Sequence, residues 1–376
     1  MACSQASIDP PVNAPFRYAI VGAGAATRQL HLPVFGHRPD ALALVAACDP
    51  SPAARAALAA EMPGLQPFAS HQEMIREAAF DAAIVTLPHH LHFSVARDFV
   101  EAGIPVIVEK PAVCSLEELR TLRDLAERKR VPVAAGQNRR FNREAAWIRD
   151  WVRATPENFG ALRTFDLQAW QNIHAYTGGP ERTHWLLDKK LAGGGVVISL
   201  AIHQLDFLRF AFGIDYTEVV ARGRFDPPFR HGAESCASVL LTSNTGASGT
   251  LHAQYTAARV PYCESLKAFG ERGAVVQLVD RPFSGEYDGT YYYATDRGDA
   301  RVWADQFHGF DKVDPALVAG LDAHTFTNQA VAFADCVRSG RAPANSLREN
   351  FNTLATIFAI RDSLAAGGRP VKVATE

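Results

Sequence analysis

The sequence contains no Cys-x-x-Cys pair, and its six cysteines (Cys3, Cys48, Cys114, Cys236, Cys263 and Cys336) are scattered through 376 residues. That spacing suits neither a zinc site nor a disulfide framework; it fits free thiols in a reducing, cytoplasmic compartment and no metal. Net charge is also lacking: 38 Lys and Arg stand against 40 Asp and Glu, a formal -2. No segment gathers basic residues with aromatic neighbours, so nucleic acid is not expected as a partner. The opening MACSQASIDPPVNAP has neither a basic n-region nor an apolar h-region, and residues 1–15 read as a loose tail. No unbroken apolar run reaches the length of a membrane span, so no membrane is expected. His71, His231, His252, His308 and His324 have no metal-ligand spacing. Internal repeats and low-complexity segments are absent too.

What is present is ample apolar sequence, 48% of residues, in a chain long enough for two domains. Over residues 16–137 short apolar runs (RYAIVGAG, ALALVAACD, FDAAIVTLP, IPVIVEK, VPVAAG) alternate with helical spacing (SPAARAALAAEM, HQEMIREAA, HFSVARDFVEAG, SLEELRTLRDLAERKR). Alternation of this kind predicts a parallel sheet with helices on both faces. Over 138–376 the texture changes to period-two runs joined by Gly-containing turns, as in ESCASVLLTSNTGASGTLHAQYT, which predicts a mainly antiparallel sheet. Two helical stretches stopped by glycine close the chain.

The first strand runs into VGAGAAT. Gly22 and Gly24 take the first two glycine places of a dinucleotide-binding turn, Ala25 and Ala26 follow, and Thr27 takes the third. The first glycine permits the tight turn and the second lets backbone N–H groups approach a pyrophosphate at a helix N-terminus. Thr27 predicts a slightly displaced helix. Asp49, at the end of the second strand, stands where an acid receives ribose hydroxyls and would repel a ribose phosphate, favouring NAD over NADP. Arg55 on the next helix could reach such a phosphate. A Gly-rich turn with an Asp helix cap is the plain alternative.

Ligands of an open parallel sheet sit off the carboxyl ends of its strands, which places Thr86, Pro88, His92, Glu109, Lys110 and Pro111 on one edge. An ammonium at Lys110 could hold a hydroxyl and stabilise negative oxygen as hydride leaves; a solvated strand-end lysine is the bland alternative. In GGGVVISLAIHQLD, Ser199, His203 and Asp206 share one face of an otherwise apolar helix starting after Gly195. A histidine so placed is often a satisfied core residue, yet flanked by a hydroxyl and a carboxylate it could take a proton from an alcohol.

The glycine turn GAGAATRQLH, the EKP after the fifth strand and GGGVVISLAIHQLD together resemble the Gfo/Idh/MocA oxidoreductases, named for glucose–fructose oxidoreductase and inositol dehydrogenase. The resemblance runs from Phe16 to the final RPVKV. It implies an N-terminal Rossmann domain, an α/β domain with a large open antiparallel sheet that builds homodimers or homotetramers, and NAD(P)-dependent hydride transfer at a secondary hydroxyl of a sugar, sugar derivative or cyclitol. Residue by residue it implies that Lys110 is the catalytic lysine and His203 the proton-transferring histidine. Ser199 departs from the aspartate of many members; lacking its charge, Asp206 or the substrate must compensate. Substrate contacts are expected from Arg140, Trp170 and Lys190, with Arg139 at the surface. His184, Trp185 and Lys189 lie in the same segment. For Trp170 and Trp185 core packing and ligand stacking stay open, as does the role of Tyr255. His31 and His92 read as helix caps or pocket lining. The other functions in view are a dinucleotide-binding regulator without turnover and an NAD-dependent glycosidase.

Overall fold

A computed structural model describes residues 14–376 except 143–144, 154–155, 178–183, 257–261, 282–287, 296–299 and 305–323. The apolar runs of the first third form six parallel strands: β1 (Phe16–Val21), β2 (Leu42–Cys48), β3 (Gln66–Phe68), β4 (Ala82–Val85), β5 (Val106–Val108) and β6 (Val133–Ala135). Their order is β3-β2-β1-β4-β5-β6. β4, β5 and β6 are buried at every residue, as strands sandwiched between helices must be. Three of the intervening helices are started by a serine, Ser51, Ser70 or Ser115, whose side chain accepts the backbone N–H three residues on. The strand order reverses between β1 and β4, and that opens a crevice at their carboxyl ends.

The second sheet has nine strands: β7 (Leu162–Asn172), β8 (Tyr216–Arg224), β9 (Cys236–Ser243), β10 (Ser248–Thr256), β11 (Tyr262–Gly270), β12 (Gly273–Arg281), β13 (Asp288–Thr295), β14 (Ala300–Ala304) and β15 (Val371–Lys372), ordered β14-β13-β12-β11-β7-β10-β9-β8-β15. All neighbours are antiparallel except β7 and β10. β7 turns Phe165, Leu167 and Ala169 to the core and Asp166, Gln168 and Trp170 to the other face. The helices Ile202–Phe212 and Leu347–Ala365 pack on the core face. On the outer face Leu240 and Phe269 remain 50% and 45% exposed.

A late segment of the chain returns to the first sheet. After the second sheet, the helix Thr325–Ser339 returns to the first: Phe326, Ala330, Phe333 and Ala334 join the cluster built by Phe16, Tyr18, Leu42 and Ile84, and the Tyr18 hydroxyl donates to the Ala330 carbonyl at 2.7 Å. The Ala135 N–H then donates to the Asn345 carbonyl. An exposed apolar face on the first sheet demands cover, but a helix's period does not say which sheet it covers. The stretch Lys189–Phe212 is long and apolar enough to cross a membrane by composition; 89% of its most apolar window is buried inside the protein, which makes it a core segment.

Candidate active site

Gly22 has φ +98°, and a Cβ there would lie 2.6 Å from the Thr86 carbonyl, so only glycine makes this turn. At Gly24 a Cβ would meet nothing within 4 Å, and Gly24 and Ala25 are exposed with Ala26 half-buried behind them. The open space lies in front of a helix N-terminus, where a pyrophosphate fits. Thr27 stands in the third glycine's place. Thr27–His31 forms a π turn, and the Thr27 hydroxyl donates to the Gly22 carbonyl at 2.6 Å beside the Thr86 hydroxyl. Asp49 braces the turn by accepting the N–H groups of Ala23 and Ser51, while Arg55 donates to the Asp49 and Pro50 carbonyls. The turn, the open helix end and the acid fit a dinucleotide.

At the same edge Pro88 is half-buried and leads into the His89–Leu91 turn. His92 sits with one ring nitrogen 2.8 Å from the Pro111 carbonyl and the other 2.7 Å from that of Leu87, tying the loops after β4 and β5 together. Burial lowers its pKa although both carbonyls favour the proton. Glu109 accepts the N–H of Lys110 with one oxygen and meets His31 Nε2 at 2.9 Å with the other. Burial works against its ionisation, but the His31 contact and the Lys110 charge hold it below the usual carboxylate range. Gly136 is required here, since a Cβ would stand 2.9 Å from Glu109 Cα.

The second domain arrives over this edge. His89 Nδ1 meets the Ala192 carbonyl at 2.8 Å, and the rings of His89 and Trp185 are 4.6 Å apart. Gly193 (φ +80°) ends the Lys189–Ala192 turn against Cys114, and a Cβ on Gly195 would be 2.0 Å from the Glu234 carbonyl. Glu234 itself, buried, accepts the N–H groups of Gly195 and Val197, capping the helix that carries His203. Burial raises its pKa against those hydrogen bonds.

That helix begins with a π turn, Val197–Ala201, and the Lys110 ammonium donates to the Ser199 carbonyl at 2.7 Å. Lys110, just past the end of β5, therefore touches the helix that carries His203, one turn before that residue. Burial draws the Lys110 pKa down, Glu109 and Glu264 resist, and Arg139 adds to the fall. Burial, then Lys110 and Arg139, hold His203 well below the ordinary imidazole value. The Ser199 hydroxyl and His203 Nδ1 are buried with no hydrogen-bond partner.

The expected substrate contacts are rearranged. Arg140 is committed to Asp206 through two 2.7 Å hydrogen bonds and to the Ala344 carbonyl, both side chains being fully enclosed; neither is free for the site. Arg139, expected at the surface, is buried and donates to Glu264, which also accepts from Gln204, the neighbour of His203. Trp170 faces the outer side of the second sheet, away from the helix bearing His203. The Lys190 side chain is exposed. Trp185 lines the edge instead. Arg139 carried a signal, its place just after the last parallel strand, but nothing in sequence joins Glu234 or Glu264 to Lys110. Among the described residues no cluster of three potential metal ligands assembles.

Residues 16–137 match an oxidoreductase family with an NAD-binding Rossmann fold, and residues 152–276 match the GFO/IDH/MocA C-terminal domain. The chain is 31% identical over 207 residues to a myo-inositol dehydrogenase of Streptomyces leeuwenhoekii, covering 54% of this chain and 58% of that protein. It is 28% identical over 201 residues to the D-glucoside 3-dehydrogenase of Escherichia coli, covering 54% and 55%. The chain thus spans about half the length of the curated relatives it matches. An inositol dehydrogenase homologue from Azotobacter vinelandii, solved with NADH and myo-inositol, superposes with TM-score 0.78 at 19% identity over 95% of this chain and 97% of that one.

Proposed function

The chain belongs to the Gfo/Idh/MocA family of oxidoreductases, and from that premise we propose that it is an NAD-dependent dehydrogenase or reductase acting on a secondary hydroxyl of a sugar, sugar derivative or cyclitol. The observation that carries this is the 2.7 Å hydrogen bond from the Lys110 ammonium to the Ser199 carbonyl, which sets a cation of one domain beside the imidazole of the other.

Residues 16–137 hold the dinucleotide and the later sheet domain supplies His203. Gly22, Gly24, Ala25, Ala26 and Thr27 cradle the pyrophosphate; Asp49 meets the ribose, favouring NAD over NADP; Thr86, Pro88, His92 and Glu109 wall the nicotinamide end. A bound NAD supplies the hydride acceptor. Lys110 holds the reacting hydroxyl oxygen and stabilises its growing negative charge. His203, kept neutral, accepts the hydroxyl proton as the carbon loses hydride, leaving a carbonyl; reduction runs the same transfers backwards. A regulator without turnover is not favoured, because it has no use for this pairing.

The protein works as a homodimer or homotetramer through the outer face of the second sheet, where Leu240 and Phe269 are exposed. Its place is the cytoplasm, consistent with free thiols at Cys48, Cys114, Cys236 and Cys336. The test is incubation with NAD, and separately NADP, across sugars, sugar acids and inositols while following reduced nicotinamide. Lys110→Ala and His203→Ala should each lower turnover by about two to four orders of magnitude with NAD affinity unchanged. Normal turnover in both would refute the assignment.

A further inference from the structure

Proton transfer to His203 creates a cation next to two others, Lys110 and Arg139, and such a site calls for a negative charge. The structure accounts for each nearby carboxylate. Asp206, one turn along the same helix, is enclosed with Arg140, Thr353 and Asn350. Glu109 is held by His31 and the backbone of Lys110. Glu264 is shared by Arg139 and Gln204, and Glu234 caps the start of the helix. Position 199, one turn before the histidine on its active face, carries a hydroxyl instead of a carboxylate.

The orphaned groups point the same way. The Ser199 hydroxyl, on a residue 4% exposed, and His203 Nδ1, on a residue 7% exposed, are buried polar atoms without partners, and such atoms are costly unless a ligand or water completes them. The charges that act on His203 are those of Lys110 and Arg139, with none opposing.

We propose that the substrate brings the missing charge: it is a sugar acid, a polyhydroxylated chain or ring bearing a carboxylate, whose carboxylate accepts the Ser199 hydroxyl and lies beside Lys110 and His203. This rests on the oxidoreductase activity proposed above and narrows its substrate class. Electrostatic complementarity then selects acids over neutral sugars of the same shape.

The full-length protein saturated with NADH is titrated with D-glucuronate, D-galacturonate and D-gluconate and with D-glucose, D-galactose and myo-inositol, followed by calorimetry and by NADH fluorescence. The acids should bind at least about ten-fold tighter than the neutral compounds. Ser199→Asp should erase or invert that ratio, and Ser199→Ala should weaken the acids more than the neutral compounds, narrowing the ratio. Equal or tighter binding of the neutral compounds by the wild-type protein, or no binding of any acid at millimolar concentration, overturns the proposal without needing either variant to fold. The two proposals fail separately. Preferential binding of acids with no reduced nicotinamide from NAD sinks the oxidoreductase assignment alone, and oxidation of neutral sugars only sinks the sugar-acid inference alone.

Discussion

A methyl group added at Gly195 would stand 2.0 Å from the Glu234 carbonyl, whereas one at Gly24 would touch nothing. Two glycines of similar sequence setting therefore fail differently. Gly195→Ala should cost about 3 kcal/mol of stability, because backbone and helix start must separate, and a denaturant midpoint would register it. Gly24→Ala should leave that midpoint in place and weaken NAD binding roughly ten-fold by intruding on the pyrophosphate. Arg140 and Asp206 give a third case. Arg140→Ala leaves a carboxylate of 0% exposure without its cation, for a loss of about 3–5 kcal/mol. Stability should fall, while KM of the remaining folded protein should stay within about two-fold of wild type if Arg140 makes no substrate contact. The histidines set the pH behaviour. Burial holds His203, His89 and His92 below the ordinary imidazole value, so His203 stays neutral, and able to accept a proton, as pH falls past about 6.5. The acid limb of kcat/KM for oxidation should accordingly lie below pH 6.5. Unfolded, the same rings take up protons near 6.5; the unfolded state then binds more protons than the native one, and stability should decline as pH drops below that value.

At the scale of elements, the strands and the glycine turn were legible because their causes are local. Apolar runs, a turn only glycine can make and Ser caps three residues before an N–H all lie within a few positions of one another. The meeting of Lys110 with the His203 helix was legible only as an expectation from family resemblance, since 89 residues separate the bonded pair. Arg139 and Arg140 show where local reasoning stops. Adjacent and chemically identical, they are sorted by partners, Glu264 and Asp206, that sequence does not pair with them. The same applies to the face of Trp170, fixed by the alternation of β7, and to the helix Thr325–Ser339, whose apolar stripe fits either sheet. Helix starts are a related limit: the π turns at Thr27–His31 and Val197–Ala201 carry no period of their own in so few residues.

The whole molecule presents one large sheet face to solvent, with Leu240 and Phe269 on it. The two stand on β9 and β11 with Thr164, Asp166, Ser248 and Thr250 between them, two separate apolar side chains on a face that is otherwise polar there. Replacing both by Lys tests the proposed homo-oligomer: it should lower the sedimenting mass to that of the 40.9 kDa monomer, and an unchanged mass would remove this face from the proposal. The return of the chain has a further outcome during synthesis. Tyr18 waits for Ala330, 312 residues downstream, so the first sheet receives this covering helix only after strands β7 to β14 of the second sheet have been synthesised. Until then Phe16, Tyr18 and Leu42 lack part of their apolar shelter, and a nascent chain stopped before Thr325 should expose apolar surface that one extended past Ser339 covers.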